Sequence, residues 1–153
     1  MIIENILTPE RTLCGVHGVS KKKVLEAVAT LISDEVPAIN AKDLFGCLVS
    51  RERLGTTGLG NGIAIPHCRH KSCTQPTGLL FQLAEPVDFE AVDQKPVDLV
   101  FALIVPVEDT QEHLEILKAL ASRFQSSTLL NKLREAHSSD ELYDYFTTPV
   151  EIS

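Results

Sequence analysis

No long hydrophobic run, no linker and no leader segment occurs in this 153-residue sequence. The longest apolar run, Leu99 to Val105, is far short of the ~20 residues that a membrane-spanning helix needs. The opening residues, MIIENILTPER, have no basic segment followed by a long apolar stretch, so they are not a signal peptide. We therefore expect a cytoplasmic protein that folds as a single domain over residues 1–153, with a core from about residue 3 to residue 148.

Positive charge is also scarce. The chain has 14 lysines and arginines against 21 aspartates and glutamates, a formal net charge of −7, and no dense basic stripe. Such a surface repels phosphate backbones, so we do not expect nucleic acid as a partner. Only four cysteines are present, at positions 14, 47, 68 and 73, and in a cytoplasmic protein they are expected to be thiols. The sequence indicates no cofactor.

Helical patterns flank a central set of extended runs. One helix is predicted after Ser20 and a second from Asn40 to about Leu54, where Gly55 is a natural stop. A third is predicted after Asp109, with an apolar stripe of Leu114, Leu117, Leu120, Ala121 and Phe124. A fourth covers residues 127–136, and a last one is capped by Ser138 and closed by Pro149.

The extended runs lie between these helices, at residues 63–65, 78–83 and 97–105. The last is nearly continuous and β-branched, which is typical of a strand covered on both faces. The order of elements predicts an α/β domain with a central mixed β-sheet flanked by helices on both sides.

Between the second helix and the strands lies GTTGLGNGIAIPHCRHKSC, which ends in two histidines and two cysteines. A metal site would use His67, Cys68, His70 and Cys73, but structural zinc sites usually pair ligands across a longer loop, so we expect no metal. A reactive thiol is a second alternative, because Arg69 and His70 could lower the pKa of Cys68. No CxxC pair and no acid to orient a base supports it.

A third interpretation includes the glycines. Gly55, Gly58, Gly60 and Gly62, with Thr56, Thr57 and Asn61 between them, could bring main-chain N–H groups and hydroxyls close to an anion. The loop lacks the G-K-[ST] ending of a Walker motif, so nucleotide binding is not implied. His67 follows the rigid Pro66, and a neutral imidazole is a nucleophile that can take up a phosphoryl group. Arg51 is the candidate for a bidentate phosphate contact.

A second histidine strengthens this interpretation. His113 lies in the first turn of the third predicted helix, where the free N–H groups and the helix dipole favour an anion and disfavour imidazolium. That helix follows the 97–105 strand, so it begins near the carboxyl end of the strand, where α/β proteins bind ligands. A purely structural role for His113 is the alternative. We expect His17, His70 and His137 to lie at the surface.

The segment SRERLGTTGLGNGIAIPHCR, residues 50–69, resembles the active-site signature of the fructose/mannitol-type IIA domains of the bacterial phosphoenolpyruvate-dependent phosphotransferase system. The resemblance extends from ILTPER to SSDELYDYF, and these flanking segments are similar to the nitrogen-regulatory branch of the family. It implies that His67 is the phosphohistidine, phosphorylated through Nε2 by an HPr-like phosphocarrier (NPr). It also implies that His113 and Arg51 are active-site residues, and that Cys68, His70 and Cys73 lie outside the family pattern.

The sequence leaves several alternatives for what such a phosphotransferase component acts on. The nitrogen-regulatory branch implies protein targets such as sensor kinases or potassium-transport components, whose binding depends on the phosphorylation state. A free-standing sugar IIA that donates to a IIB domain is the first alternative, although the chain has no IIB-like cysteine motif and no membrane segment. The second alternative is a metal-binding module. The third is a regulator that acts by binding other proteins alone, with a vestigial His67.

Overall fold

The computed structural model describes residues 2–108 and 110–148. Its helices are α1 (Ile2–Ile6), α2 (Lys21–Glu35), α3 (Ala41–Leu54), α4 (Thr110–Arg123), α5 (Ser127–Glu135) and α6 (Ser139–Thr147). Its strands are β1 (Thr12–Val16), β2 (Gly58–Gly60), β3 (Ile63–Ala64), β4 (His67–Arg69), β5 (Thr77–Val87) and β6 (Val97–Val105). A short 3-10 turn covers Pro9–Arg11. Within the described ranges, no helix is long and apolar enough to cross a membrane.

The helices begin where polar side chains cap their first N–H groups. The Ser20 hydroxyl accepts a hydrogen bond from the Lys23 N–H at the start of α2, and Asn40 Oδ1 accepts one from the Asp43 N–H at the start of α3. Ser138 does the same for the Glu141 N–H in α6. These bonds satisfy N–H groups that have no partner inside the helix, which confirms these predicted starts.

The six strands form one mixed sheet in the order β1-β5-β6-β3-β2, with β4 also paired to β6. Strand β5 runs antiparallel to β6, whereas β1 is parallel to β5. Strands β3 and β4 both pair in parallel with β6, so that Ile63 lies opposite Leu99 and His67 lies opposite Leu103. Residues 63–69 therefore run alongside β6, on the side away from β5, and His67 lies near the carboxyl end of β6.

Apolar side chains cover both faces of this sheet. On one face, α2 and α3 pack against it in a cluster that includes Val28, Ile32, Leu44, Leu48, Phe81 and Val100. On the other face, α1, α4, α5 and α6 contribute to a cluster that includes Ile3, Ile116, Leu133, Phe146, Phe101 and Leu103. The predicted α/β fold, with a central mixed sheet and helices on both sides, is confirmed. Strand β6 is buried along nearly its whole length, as its unbroken apolar pattern predicted.

Several local predictions were wrong or incomplete. Helix α1 and strand β1 were not predicted, because the pattern of β1, TLCGV, is short and contains a glycine; its pairing with β5 holds it. Strand β5 is longer than residues 78–83 and contains Pro86, which the ladder tolerates because the register shifts between Gln82 and Val87. The predicted capping residue Asp109 and the predicted stop Pro149 lie outside the described residues.

The rotation of α4 also differs from the prediction. Leu114, expected in the buried stripe, is 51% exposed, whereas His113 and Ile116 are buried. Leu120 and Phe124 are buried as predicted, and Leu117 and Ala121 are half-buried. Apolar residues at both 114 and 116 allow two orientations of the first turns, and packing against the sheet selects the one that turns His113 inward.

Candidate active site

His67 begins β4, directly after Pro66. Its Nδ1 lies 2.7 Å from the carbonyl oxygen of Ile65. Since a carbonyl only accepts, Nδ1 carries the proton and donates it, and the lone pair of the neutral ring is on Nε2. The backbone of the same short segment thus fixes both the direction and the tautomer of the ring.

The surroundings of His67 favour the neutral ring. Burial is the main cause that lowers its pKa below the usual value, and the positive charge of Arg51 lowers it further. The hydrogen bond to the Ile65 carbonyl and the negative charge of Glu52 act in the opposite direction but do not reverse the shift. At neutral pH the ring is therefore an unprotonated nucleophile.

His113 faces His67 from the first turn of α4. The two ring centroids lie 5.5 Å apart at an interplanar angle of 70°. His113 is only 8% exposed, and within the described part of the chain its Nε2 is buried without a hydrogen-bond partner. Its pKa is lowered by burial first, and then by the charges of His67, Arg69 and Arg51. A buried, unsatisfied ring nitrogen beside a nucleophile is well placed to bind a polar group that arrives there.

Arg51 lies in the last turn of α3 and lines the same cleft as the two histidines. Its Nη1 donates to the carbonyl oxygen of Gly55 at 3.0 Å, which leaves other N–H groups of the guanidinium available. The open cleft has a volume of about 970 Å³. The predicted trio of His67, His113 and Arg51 is therefore brought together from a strand and two helices that are distant in sequence.

The structure does not bring Gly60, Asn61 and Gly62 to His67. Asn61 and Gly62 have φ angles of 58° and 81° and form the turn of a hairpin between β2 and β3, which is the usual role of an Asn-Gly pair. Gly62 accepts hydrogen bonds at the Leu99 end of β6, whereas His67 pairs with Leu103 farther along the strand. The predicted phosphate loop is, in this part, a hairpin at the opposite end of the sheet.

Residues 56–58, the first part of the predicted phosphate loop, stabilise the backbone that leads to His67. The Thr56 hydroxyl donates to the Phe89 carbonyl at 2.7 Å and accepts from the Gly58 N–H at 3.0 Å, so it is already engaged. The main-chain carbonyl oxygen of the buried Thr57 accepts a hydrogen bond from the Ile65 N–H at 3.1 Å. Thr56, Thr57 and Gly58 therefore hold the chain that leads to His67 and do not line the cleft themselves.

The sequence did not indicate a role for Glu52. Its Oε1 accepts from the Thr57 N–H at 3.2 Å and lies 2.9 Å from Lys21 Nζ, and its side chain is only 6% exposed. Glu52 thus ties α2 and α3 to the segment before His67. Its position directly after Arg51 could have indicated it, but the partners come from separate elements that no local pattern connects.

The neighbouring cysteines and His70 have structural surroundings. Cys68 faces the core between the sheet and α3, and burial raises its pKa to about 12. His70, expected at the surface, is 3% exposed, and its Nδ1 accepts from the Ser72 N–H at 3.0 Å, because the chain turns inward there after β4. Among the described residues, no group of three or more His, Cys, Asp or Glu side chains is arranged to hold a metal ion. The metal and thiol alternatives gain no support from these positions.

Comparison with known proteins identifies the family. Residues 5–148 match the model of the family described as "Phosphoenolpyruvate-dependent sugar phosphotransferase system, EIIA 2". The chain belongs to this family, and the resemblance read from residues 50–69 is thereby confirmed. It is a phosphotransfer component of that class.

Within the family, the chain is similar to nitrogen-regulatory members. It is 48% identical over 141 residues to a nitrogen regulatory protein of Pseudomonas aeruginosa, which covers 92% of each chain. A crystal structure of the nitrogen regulatory protein IIA-Ntr from Neisseria meningitidis matches with a TM-score of 0.90 and 39% identity, over 96% of this chain and 100% of that one. The mannitol IIA of Escherichia coli, at 19% identity and a TM-score of 0.76 over 92% of this chain and 99% of that one, shares the fold.

Proposed function

We propose that this protein is a phosphohistidine carrier of a nitrogen-related phosphotransferase system and that it accepts a phosphoryl group on His67 Nε2. The donor is an HPr-like phosphocarrier, and the reaction takes place in the cytoplasm. The observation that carries the proposal is the hydrogen bond from His67 Nδ1 to the Ile65 carbonyl, which leaves the lone pair of Nε2 free in a cleft beside His113 and Arg51.

The transfer step can be written in terms of these residues. The lone pair of His67 Nε2 forms a bond to phosphorus while the N–P bond of the donor's phosphohistidine breaks, and that electron pair returns to the donor ring. The proton on Nδ1 stays with His67, and the Ile65 carbonyl stabilises the positive charge that the ring gains. Arg51 and the ring of His113, which line the same cleft, are proposed to donate to the phosphoryl oxygens, because phosphoryl transfer mainly requires donors around these oxygens.

A direct experiment is to incubate the protein with phosphoenolpyruvate, enzyme I and an HPr-like carrier and to record its intact mass. We expect an acid-labile phosphoryl adduct that is absent in His67→Ala and retained in His137→Ala, which replaces an exposed histidine outside the cleft. An adduct that persists in His67→Ala would show that another residue is the acceptor.

The output of the phosphorylated protein is proposed to be regulatory. Its similarity to proteins named nitrogen regulatory proteins supports protein targets, such as sensor kinases or potassium-transport components, over a sugar-specific IIB domain. One assay distinguishes regulation of protein targets from transfer to a IIB domain. In it, the phosphorylated protein is mixed with candidate IIB domains and with candidate regulatory targets. Rapid loss of the phosphoryl group to a IIB domain would favour the sugar-transport alternative. Equal target binding by the wild type and His67→Ala under phosphorylating conditions would favour a regulator that only docks.

A further inference from the structure

Arg69 shares a face of β4 with His67. Side chains alternate along a strand, so residues 67 and 69 point to one side while Cys68 points to the other, into the α2/α3 cluster. The register agrees, because Leu103 and Val105, the partners of His67 and Arg69 on β6, belong to the cluster on the α4 side. Arg69 therefore lies on the side of the sheet from which His113 approaches.

The side chain of Arg69 also lines the cleft that contains His67, His113 and Arg51. It is exposed, and within the described residues it makes no hydrogen bond or ion pair. The guanidinium of Arg134, in contrast, is held by Asp98, and that of Arg11 by the carbonyl oxygen of Gly78. The positive charge of Arg69 lowers the pKa of His113 more than that of Arg51 does, which agrees with its place in the cleft beside His113.

We propose that Arg69 is a second guanidinium contact for the phosphoryl group on His67, opposite Arg51. Arg51 lines the cleft from α3 and Arg69 lines it from β4, so the two cations reach the cleft of His67 from different elements. A phosphoryl group offers three oxygens, and guanidinium groups bind such oxygens with paired N–H donors. The inference rests on the proposed function of His67 and extends it to a residue to which the family resemblance assigns no role.

The test compares Arg69→Gln, which removes the charge, with Arg69→Lys, which keeps it. Arg53→Gln is the matched control, because Arg53 is an exposed arginine at the end of α3 that does not line the cleft. The measurements are the rate of transfer from the phosphorylated HPr-like carrier, as a function of carrier concentration, and the ³¹P NMR shift of the isolated phosphoprotein.

We expect Arg69→Gln to lower the transfer rate at saturating carrier roughly two- to tenfold, as for an exposed charge-assisted contact, and to move the ³¹P resonance. Arg69→Lys should recover part of the rate, and Arg53→Gln should behave like the wild type. A ³¹P shift and saturating rate in Arg69→Gln equal to those of Arg53→Gln would overturn the inference. An effect confined to the carrier concentration needed for half-saturation would also overturn it, because it would assign Arg69 to donor docking.

Failure of the underlying function gives a different result. If the wild type takes up no phosphoryl group, or if the adduct survives in His67→Ala, the proposed function fails and the role of Arg69 fails with it. If the wild type is phosphorylated on His67 and Arg69→Gln has no effect on rate or resonance, only the inference about Arg69 fails.

Discussion

His67 and His113 stand edge to face, with their ring centroids 5.5 Å apart, although one begins a strand and the other lies in the first turn of a helix. Burial lowers the pKa of both rings, and the charges of His67, Arg69 and Arg51 lower the pKa of His113 further. Two imidazolium ions this close would repel each other, so the pair is built to be neutral. In His67 the hydrogen bond at Nδ1 leaves the lone pair on Nε2, and in His113 the buried Nε2 has no hydrogen-bond partner among the described residues.

The protonation of His67 is predicted to occur at a lower pH than that of an ordinary histidine. In an NMR titration, its ring resonances should move at a pH below the usual value of 6.5. Arg51→Ala should raise this midpoint, since the positive charge of Arg51 disfavours imidazolium. The urea-unfolded protein serves as the reference for an ordinary histidine. A midpoint for His67 above 6.5 would contradict the neutral-nucleophile assignment.

The same shifts predict a pH dependence of stability. Because the pKa values of His67 and His113 are lowered in the folded state, these two rings bind more protons in the unfolded chain below about pH 6.5. Their contribution to the free energy of unfolding therefore falls as the pH falls from 7 to 5. Urea titrations of the wild type and of a His67→Gln/His113→Gln double variant measure it. The double variant should lose stability less steeply over this range. Equal slopes would show that these rings do not contribute.

Gly62→Ala is predicted to destabilise the fold without removing the phosphoacceptor. Gly62 has a φ of 81°, and an added Cβ would lie 2.5 Å from the Arg134 guanidinium and 2.7 Å from Asp98. The positive φ alone costs roughly 1–2 kcal/mol in a residue with a side chain, and the close contacts add to it. Chemical denaturation measures the loss of unfolding free energy.

Gly46→Ala is the matched control for this prediction. Gly46 lies inside α3, and an added Cβ would meet no atom within 4 Å, so the substitution should raise the unfolding free energy by roughly 0.5–1 kcal/mol. In the phosphorylation assay, folded Gly62→Ala should still accept a phosphoryl group on His67. Loss of acceptance by folded Gly62→Ala would restore the phosphate-loop interpretation of residues 60–62.

Cys68 is predicted to be among the slowest of the four thiols to react. It is 7% exposed, and burial raises its pKa to about 12, so almost no thiolate is present at neutral pH. Alkylation of the native protein followed by peptide mapping should modify the half-buried Cys47 well before Cys68. Equal rates after unfolding in urea provide the control. Preferential labelling of Cys68 in the native state would revive the reactive-thiol alternative.

Local patterns predicted the elements that depend on neighbours in sequence. Ser20, Asn40 and Ser138 cap helices as expected, since a cap is a contact between residues three positions apart. The unbroken apolar run of β6 predicted a strand buried on both faces for a similar reason. Strand β1 was missed because its stability comes from pairing with β5, which is distant in sequence.

The amino-acid sequence by itself determined the α/β class, most helix starts and the candidacy of His67, because these follow from spacing and residue chemistry within short segments. Only the tertiary structure decided which candidates share a cleft. It turned α4 so that His113 faces inward and Leu114 outward, it directed Arg69 to the side of His67, and it placed Asn61 and Gly62 at the other end of β6. Sheet register and helix rotation set these positions, and both are fixed by packing between distant segments, which no local pattern encodes.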